Sequence, residues 1–260
     1  MTSVTSALVL LSAPALWAED LTDPREIVTK AEQVAFYSGD DGRSEARMRI
    51  TDNQGRNQVR QFTILRKTRD DQQTQDLMVF FSRPADVRNT VFRVIKRTES
   101  DDDRWLYLPG LDLVKRISSG DKRTSFVGSH FYYEDVSGRN TDLDNYELLE
   151  TTEEHYELKG SAKDPSNVEF AYYHVTIDKE TMLPVATSYF DSNDRKYRQM
   201  EVLQVETIDG YPTVVHSRMK NLDNGGVTEM QFRNVDYDLG IPDSIFSERS
   251  LRNPPTEWLN

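Results

Sequence analysis

Histidine and acidic side chains are the residues of this chain that could bind a metal ion or transfer protons at neutral pH. The four histidines are His130, His155, His174 and His216, and they are scattered at no metal-binding spacing. The acidic run Asp101–Asp103 lacks the pattern of a calcium-binding loop and is typical of a solvated turn. The sequence therefore predicts no metal site.

The adjacent carboxylates of Glu134 and Asp135 are the clearest candidates for acid–base chemistry. Neighbouring side chains diverge in most backbone conformations, however, whereas a catalytic pair of carboxylates must face a common bond. The sequence also has no phosphate-binding glycine loop, no nucleophile elbow and no dinucleotide fingerprint. We therefore predict a protein that is not an enzyme and needs no cofactor.

Composition excludes two further classes of function. The 260 residues include no cysteine, which rules out disulfides, thiol catalysis and cysteine-ligated zinc. A net charge of −12 argues against nucleic-acid binding, because that function needs a positive surface. With 37% hydrophobic and 10% aromatic residues, the chain is too apolar to be disordered.

The negative charge is unevenly distributed along the chain. Residues 83–123 hold ten basic and seven acidic side chains, a net charge of +3, so the remainder carries −15. Aromatic and aliphatic residues are interleaved with these cations. Such a mixture suits an amphiphile with an anionic or zwitterionic head, or an anionic membrane surface. A charged, solvated sheet face would show the same pattern, and composition alone does not separate the two.

One helix is predicted near residue 24. Asp23 can cap it, Pro24 suits its first position, and Glu26 completes an aspartate version of the capping box. Apolar residues then recur at helical spacing from Ile27 to Ala35. The apolar stripe is narrow, so we expect this helix to lie against something larger.

From about Arg43 the apolar period changes to two, which predicts β-strands. About a dozen strand-like runs follow, joined by short turns such as Asn53–Gly55 and Asp209–Gly210. No helices alternate with them, so we predict an antiparallel, meandering sheet in one domain over residues 19–260. Both faces of many strands carry large side chains. A two-layer sandwich and a half-barrel around an apolar cavity both fit that pattern.

The N-terminal residues have the form of a secretory signal peptide. An uncharged apolar run precedes small residues, with cleavage expected near Ala15 or Ala18, although no lysine or arginine comes before it. The run is too short to cross a bilayer. We therefore predict that residues 1–18 are removed and that the mature protein is exported.

Three motifs in sequence order resemble a known family. They are the Trp-x-Tyr-x-Pro strand at Trp105–Pro109, the basic strand Leu113–Ile117, and the Ser-Phe-x-Gly-x-x-Phe-x-Tyr-Glu-Asp segment at Ser125–Asp135. This combination is similar to the outer-membrane lipoprotein-sorting proteins, relatives of the periplasmic carrier LolA. The segment Phe81–Thr90 also resembles that family, and the likeness extends to about Phe246.

The resemblance implies a strongly curved antiparallel sheet, or half-barrel, with an N-terminal helix and short helices or loops over its concave face. It also implies a carrier that shields acyl chains of a lipid or a lipid-modified protein between two membranes. Members of this branch resemble accessories of exporters of the resistance-nodulation-division (RND) type. We accordingly expect a monomer that contacts an RND-type inner-membrane transporter and, transiently, a membrane surface.

The motifs also supply candidate site residues. The side chains expected to line the cavity or its lid are Trp105, Tyr107, Leu108, Phe126, Phe131, Tyr132 and Tyr133. The cations expected to meet a head group or partner are Arg93, Lys96, Arg97, Lys115 and Arg116. The segment from Phe126 to Val136 could be a movable lid or a plug of the half-barrel core.

Two other functions stay open at this point. A periplasmic interaction module could dock on a transporter without holding a lipid, and a filled core with a conspicuous surface patch would favour it. A hydrolase acting on lipid or glycan would need a buried carboxylate or histidine with a shifted pKa facing a polar cleft.

Overall fold

The computed structural model describes residues 20–71, 74–97 and 100–259. The predicted signal peptide therefore lies outside the described residues. The secondary-structure elements are α1 Pro24–Tyr37, β1 Asp41–Thr51, β2 Asn57–Thr68, β3 Thr74–Arg83, β4 Val91–Arg97, β5 Asp103–Leu108, β6 Leu113–Ile117, α2 Tyr133–Ser137, β7 Asp144–Thr151, β8 His155–Ala162, β9 Tyr172–Asp178, β10 Pro184–Phe190, β11 Lys196–Ile208, β12 Tyr211–Asn221, β13 Val227–Tyr237 and α3 Arg249–Arg252.

The strands form one antiparallel sheet in the order β6-β5-β4-β3-β2-β1-β13-β12-β11-β10-β9-β8-β7. The chain thus starts in the middle of the sheet, runs outward by hairpins to the β6 edge, and crosses to the β7 edge. It then returns by hairpins until β13 pairs with β1. The sheet is curved but unclosed, so the predicted half-barrel with an N-terminal helix is confirmed.

Local sequence explains the ends of these elements. The side chain of Asp23 accepts a hydrogen bond of 2.9 Å from the backbone N–H of Arg25, and Pro24 opens α1. Glu26 forms an ion pair with Lys30. Between β11 and β12, Asp209 and Gly210 have φ angles of 52° and 88°. This backbone geometry is that of the two-residue turns that connect tight hairpins.

Alternation along each strand separates a concave from a convex face. On β2, Phe62, Ile64 and Arg66 point to the concave side, whereas Leu65 packs on the convex side. The convex side of β3 and β4 is covered by the C-terminal segment, through Ile241 and neighbouring apolar residues. That cover explains why β3 is buried on both faces and lacks the usual hydrophobic alternation.

One predicted strand begins later than the sequence pattern indicates. The strand-like run of residues predicts an extended segment over Val168–Asp178, whereas β9 starts at Tyr172. Phe170 lies in the irregular segment before it and packs in the core with Tyr173. On the convex face, the ring of Tyr172 stacks on Phe190, and the imidazole of His174 contacts Phe190 in a tilted arrangement. The alternation of faces therefore begins where the strand pairing begins.

Candidate functional site: an apolar cavity beneath helix α1

A cavity of about 430 Å³ lies between α1 and the concave face of the sheet. Its lining is mostly apolar and comes from α1 and from strands on both halves of the sheet. Representative side chains are Val34 and Phe36 of α1, Val175 of β9, Met200 of β11 and Phe232 of β13. The volume falls in the range of pockets that hold small organic ligands. The arrangement can therefore remove an apolar ligand from water.

Helix α1 covers only part of the concave face. Its first half packs on β8 and β9, where Ile27, Val28 and Ala31 are buried. Its second half extends over the cavity, so Val34 and Ala35 remain partly exposed. Helical spacing predicts that Val34 and Ala35 belong to one apolar stripe, and this part of the stripe faces the cavity.

Buried polar contacts fix α1 to the sheet and to the crossing segment, residues 118–143. Lys96 on β4 lies 3.1 Å from the carboxylate of Glu32 on α1 and donates to the carbonyl of Gly138 at 3.2 Å. Thr141 donates to Glu32 at 2.6 Å, and Gln75 donates to the carbonyl of Phe36 at 2.6 Å. Lys96 is 1% exposed. Lys96 therefore holds the helix. It does not lie at the surface, where the sequence had predicted that it would meet a head group.

The crossing segment plugs one end of the half-barrel. Phe126 is fully buried, and its ring centroid lies 5.5–5.6 Å from those of Phe81, Phe92 and Tyr133. Phe131 is also buried in this cluster, and its side chain forms part of the cavity wall. Of the two alternatives left open for this segment, the packing of Phe126 and Tyr133 is that of a plug.

An ion cluster holds the plug in place. The carboxylate of Glu134 lies 3.3 Å from Lys122, 2.8 Å from Arg123 and 3.0 Å from Arg139. Arg139 also forms a two-pronged contact with Asp144 at the start of β7, with distances of 2.7 and 2.8 Å. Burial alone would raise the pKa of Glu134, but the three cations lower it to about 2. Glu134 is therefore a charged structural anchor.

The second carboxylate of the motif binds a different arginine. Asp135 forms an ion pair with Arg198 of β11, and the guanidinium carbon of Arg198 lies 3.9 Å from the ring centroid of Tyr132. Tyr132 is half-buried and does not line the cavity. Because Glu134 and Asp135 both neutralise buried cations, neither is positioned as a free acid or base.

Residues of β5 face away from the cavity or sit beside it. Trp105 and Tyr107 point to the convex side, where Tyr107 packs with the C-terminal segment. Arg93 lies with its guanidinium carbon 5.1 Å from the Trp105 ring centroid. Leu108 packs against the core cluster around Phe126. Strand alternation places Arg104 and Leu106, which the sequence analysis did not select, on the concave side instead.

The remaining predicted cations lie near the exposed β6 edge. Arg97 and Arg116 both contact Asp103, at 3.3 and 2.5 Å. Lys115 is exposed, and no ion-pair partner is found for it among the residues that the structure describes. Leu111 and Leu113 beside it are 73% and 45% exposed. The motif-bearing edge thus presents both apolar and basic side chains to solvent.

Most of the cavity wall is not predicted from the sequence, including the side chains of β9–β13 and the pair of Arg66 and Tyr237. The available signal was alternation, which gives two faces but does not indicate which of them is concave. Burial lowers the pKa of His130 and His174, but His130 bonds to Thr228 and His174 contacts Phe190. In the described ranges, no cluster of three or more His or acidic residues is arranged to hold a metal ion.

None of the helices within the described ranges has both the length and the apolar character required to cross a membrane.

Comparisons with known proteins agree with this architecture. A family model described as an uncharacterized protein matches residues 73–253. The crystal structure of a DUF1329 family protein from Desulfovibrio piger ATCC 29098 superposes with a TM-score of 0.80 and 30% identity, covering 88% of this chain and 100% of its own. No match was found among curated proteins.

Two more distant structures share the fold. An outer membrane lipoprotein-sorting protein domain from Vibrio parahaemolyticus has a TM-score of 0.80 at 24% identity, covering 88% of this chain and 98% of its own. The LolA superfamily protein NE2245 from Nitrosomonas europaea has a TM-score of 0.67 at 18% identity, covering 88% and 99%. The similarity therefore spans nearly the whole described chain.

Proposed function

We propose that this chain, which belongs to the same family as the DUF1329 protein and shares the LolA-like fold of the lipoprotein-sorting proteins, carries an acyl chain across the periplasm. The cargo would be a lipid or a lipid-modified protein, and residues 19–260 would act as one monomeric, non-enzymatic unit. The observation that carries this proposal is the apolar cavity of about 430 Å³ beneath α1. The cargo class is also supported by the similarity to the lipoprotein-sorting protein domain from Vibrio parahaemolyticus.

The energetics of such a carrier are favourable. Burial of a CH₂ group contributes about 0.8 kcal/mol, so an acyl chain gains on the order of 10 kcal/mol before ordering costs are subtracted. Binding of that strength would make spontaneous release slow, so the carrier needs an element that uncovers the chain. The element that covers the cavity is α1, whereas the segment from Phe126 to Val136 serves as the fixed end wall.

Partners follow from the resemblance and from the surface. We propose an RND-type exporter in the inner membrane as the source or acceptor, and transient contact with a membrane surface. The exposed side chains of Leu111, Leu113 and Lys115 on the β5–β6 hairpin suit both contacts, because they combine apolar and basic character. The uncleaved N-terminal segment would direct the chain to the periplasm.

A second candidate is an interaction module that docks on a transporter without cargo. The exposed Leu111 and Leu113 favour it, because solvent-exposed leucines beside cations are typical of contact surfaces. The two candidates differ in whether the cavity is filled in the cell. Native mass spectrometry of the protein from its own host, followed by lipid extraction, tests this directly, since a carrier retains an amphiphile and a docking module does not.

A matched pair of variants sharpens the test. Ala35→Trp places an indole in the cavity beneath α1, whereas Gln33→Trp places the same group on the exposed side of the same helix. We expect Ala35→Trp to weaken binding of a fluorescent fatty acid at least about tenfold, because the indole occupies the space that the acyl chain would fill. Gln33→Trp should bind as the wild type does. Absence of any bound amphiphile, together with no binding of the fatty acid by wild type, would refute the carrier.

A further inference from the structure

The cavity has a polar end opposite the plug. Phe62, which contacts the plug, and Arg66 point to the same side of β2 and are four residues apart, which places them about 13 Å from each other. The cavity therefore runs from an aromatic end wall towards a guanidinium group. An amphiphile has the same polarity, with an apolar chain and one polar head.

Three adjacent strands build this polar end. Gly42 of β1 pairs with both Arg66 of β2 and Tyr237 of β13. A Cβ atom at Gly42 would lie 3.4 Å from the Arg66 Nη2 atom, which places the guanidinium group across β1 at this position. The guanidinium carbon of Arg66 lies 5.3 Å from the ring centroid of Tyr237. The hydroxyl of Tyr237 lies 2.8 Å from that of Thr213.

Arg66 differs from the other arginines that line the cavity. Arg139 and Arg43 each contact a carboxylate at 2.7 Å, Asp144 and Glu45 respectively. Arg66 instead donates to the backbone carbonyls of Ser38 and Gly39, and no carboxylate of a described residue lies within ion-pair distance of it. These bonds engage two of the five N–H donors of a guanidinium. The others are available to a ligand.

Nearby carboxylates are mostly engaged elsewhere. Both oxygens of Asp41 accept backbone N–H groups, from Leu239 at 2.7 Å and Ile241 at 2.6 Å. Asp238 accepts from the backbone of Asp40 and from the hydroxyl of Tyr211. Burial lowers the pKa of Arg66, and the fields of Tyr237, Asp41 and Asp238 offset this only in part. The guanidinium is thus a half-buried cation that is only partly compensated.

We propose that Arg66 binds the oxyanion of an acidic amphiphile, with the acyl chain extending along the concave face towards Phe62. A fatty-acid carboxylate and a phospholipid phosphate share this chemistry, because both accept paired N–H donors of arginine. The proposal rests on the cavity holding an acyl chain, and it adds selection for the head group.

The experiment compares ligands with equal chains and different heads. Laurate is compared with 1-dodecanol, and lauroyl lysophosphatidate with monolaurin, each by displacement of a neutral fluorescent probe. We expect wild type to prefer the anionic member of at least one pair by about tenfold or more, as for a charge-assisted hydrogen bond. The pair that shows the preference identifies a carboxylate or a phosphate as the head.

Variants separate head-group binding from a structural role. Arg66→Gln should reduce the anionic preference to within about twofold while leaving the affinity for dodecanol and monolaurin unchanged, and Arg66→Lys should retain part of the preference. Arg47→Gln, on the exposed side of β1, is the matched control and should bind as wild type does.

Three results overturn the proposal in distinguishable ways. If wild type binds the anionic and neutral ligands equally, the head-group site is wrong and the carrier function stands. If Arg66→Gln weakens both classes alike, Arg66 only fastens the backbone at Ser38 and Gly39. If no ligand displaces the probe from wild type, the carrier function itself fails. The first comparison needs no variant, so it stands even if Arg66→Gln does not fold.

Discussion

Replacement of Phe126 by alanine tests whether the crossing segment is a plug. The ring is fully buried and contacts those of Phe62, Phe81, Phe92 and Tyr133. Truncation of a buried phenylalanine costs about 3–5 kcal/mol, from lost transfer free energy and the remaining cavity. Because the four aromatic neighbours come from four different elements and cannot all move inward, we expect the upper half of that range.

Equilibrium unfolding in urea, followed by tryptophan fluorescence, measures the loss. With a denaturant slope of about 2–3 kcal/mol/M, a loss of about 4–5 kcal/mol should lower the midpoint by about 1.3–2.5 M. Leu111→Ala is the control, since Leu111 is 73% exposed and its truncation should change the free energy of unfolding by less than about 0.5 kcal/mol. The affinity of the remaining folded protein for an acyl ligand should change little, because Phe126 does not line the cavity.

A mobile lid gives the opposite pair of results. A residue that is exposed for part of the time contributes little to stability but closes on the ligand. If Phe126→Ala lowers the free energy of unfolding by less than about 1 kcal/mol and weakens acyl binding, the plug assignment is wrong.

Three further changes have outcomes that the structure specifies. The pKa of Glu134 is about 2 in the folded state and near 4.5 when unfolded, so its charge stabilises the protein above about pH 4.5. Roughly 3 kcal/mol of this stabilisation is lost as the pH falls towards 2. In urea titrations, the stability of Glu134→Gln should lack this dependence on pH. Lys96→Met leaves the carboxylate of Glu32 on α1 without its cation, which should cost about 3–5 kcal/mol in urea unfolding and increase binding of a hydrophobic dye; an unchanged free energy of unfolding would show that the ion pair is dispensable. Gly226→Ala places a Cβ atom 2.1 Å from the imidazole of His130 and should destabilise by about 1–3 kcal/mol in thermal unfolding, whereas Gly110→Ala meets no atom within 4 Å and should be neutral.

Local signals were sufficient to predict most of the elements. The cap at Asp23, the proline at Pro24 and the turn at Asp209 all act within a few residues, so their chemistry can be read in sequence. The sheet class followed from alternation and short turns. The half-barrel itself came from the family resemblance, because alternation is the same in a sandwich and in a curved sheet.

The site was predicted less completely because concavity is a property of the whole sheet. The motif around Trp105 and Phe126 was selected for its aromatic residues, but only Phe131 of the predicted aromatics lines the cavity. Of the others, Phe126 and Tyr133 belong to the plug, Trp105 and Tyr107 lie on the convex face, and Tyr132 packs against the guanidinium group of Arg198. Lys96 was chosen for its charge, and its partner Glu32 lies 64 positions earlier in the chain, a pairing that no local pattern contains.

The pairing of β1 with β13 also determines when this chain can fold. Met48 and Met230 face each other in the middle of the sheet, about 180 residues apart in sequence, and both belong to the core cluster beside the plug. The central seam therefore forms only after the last strand has been synthesised. Until then the two halves of the sheet lack the core contacts that this seam provides, so we expect this part of the core to form late in folding. We expect that a seam closed by the last strand keeps the fold of this chain incomplete until β13 is present.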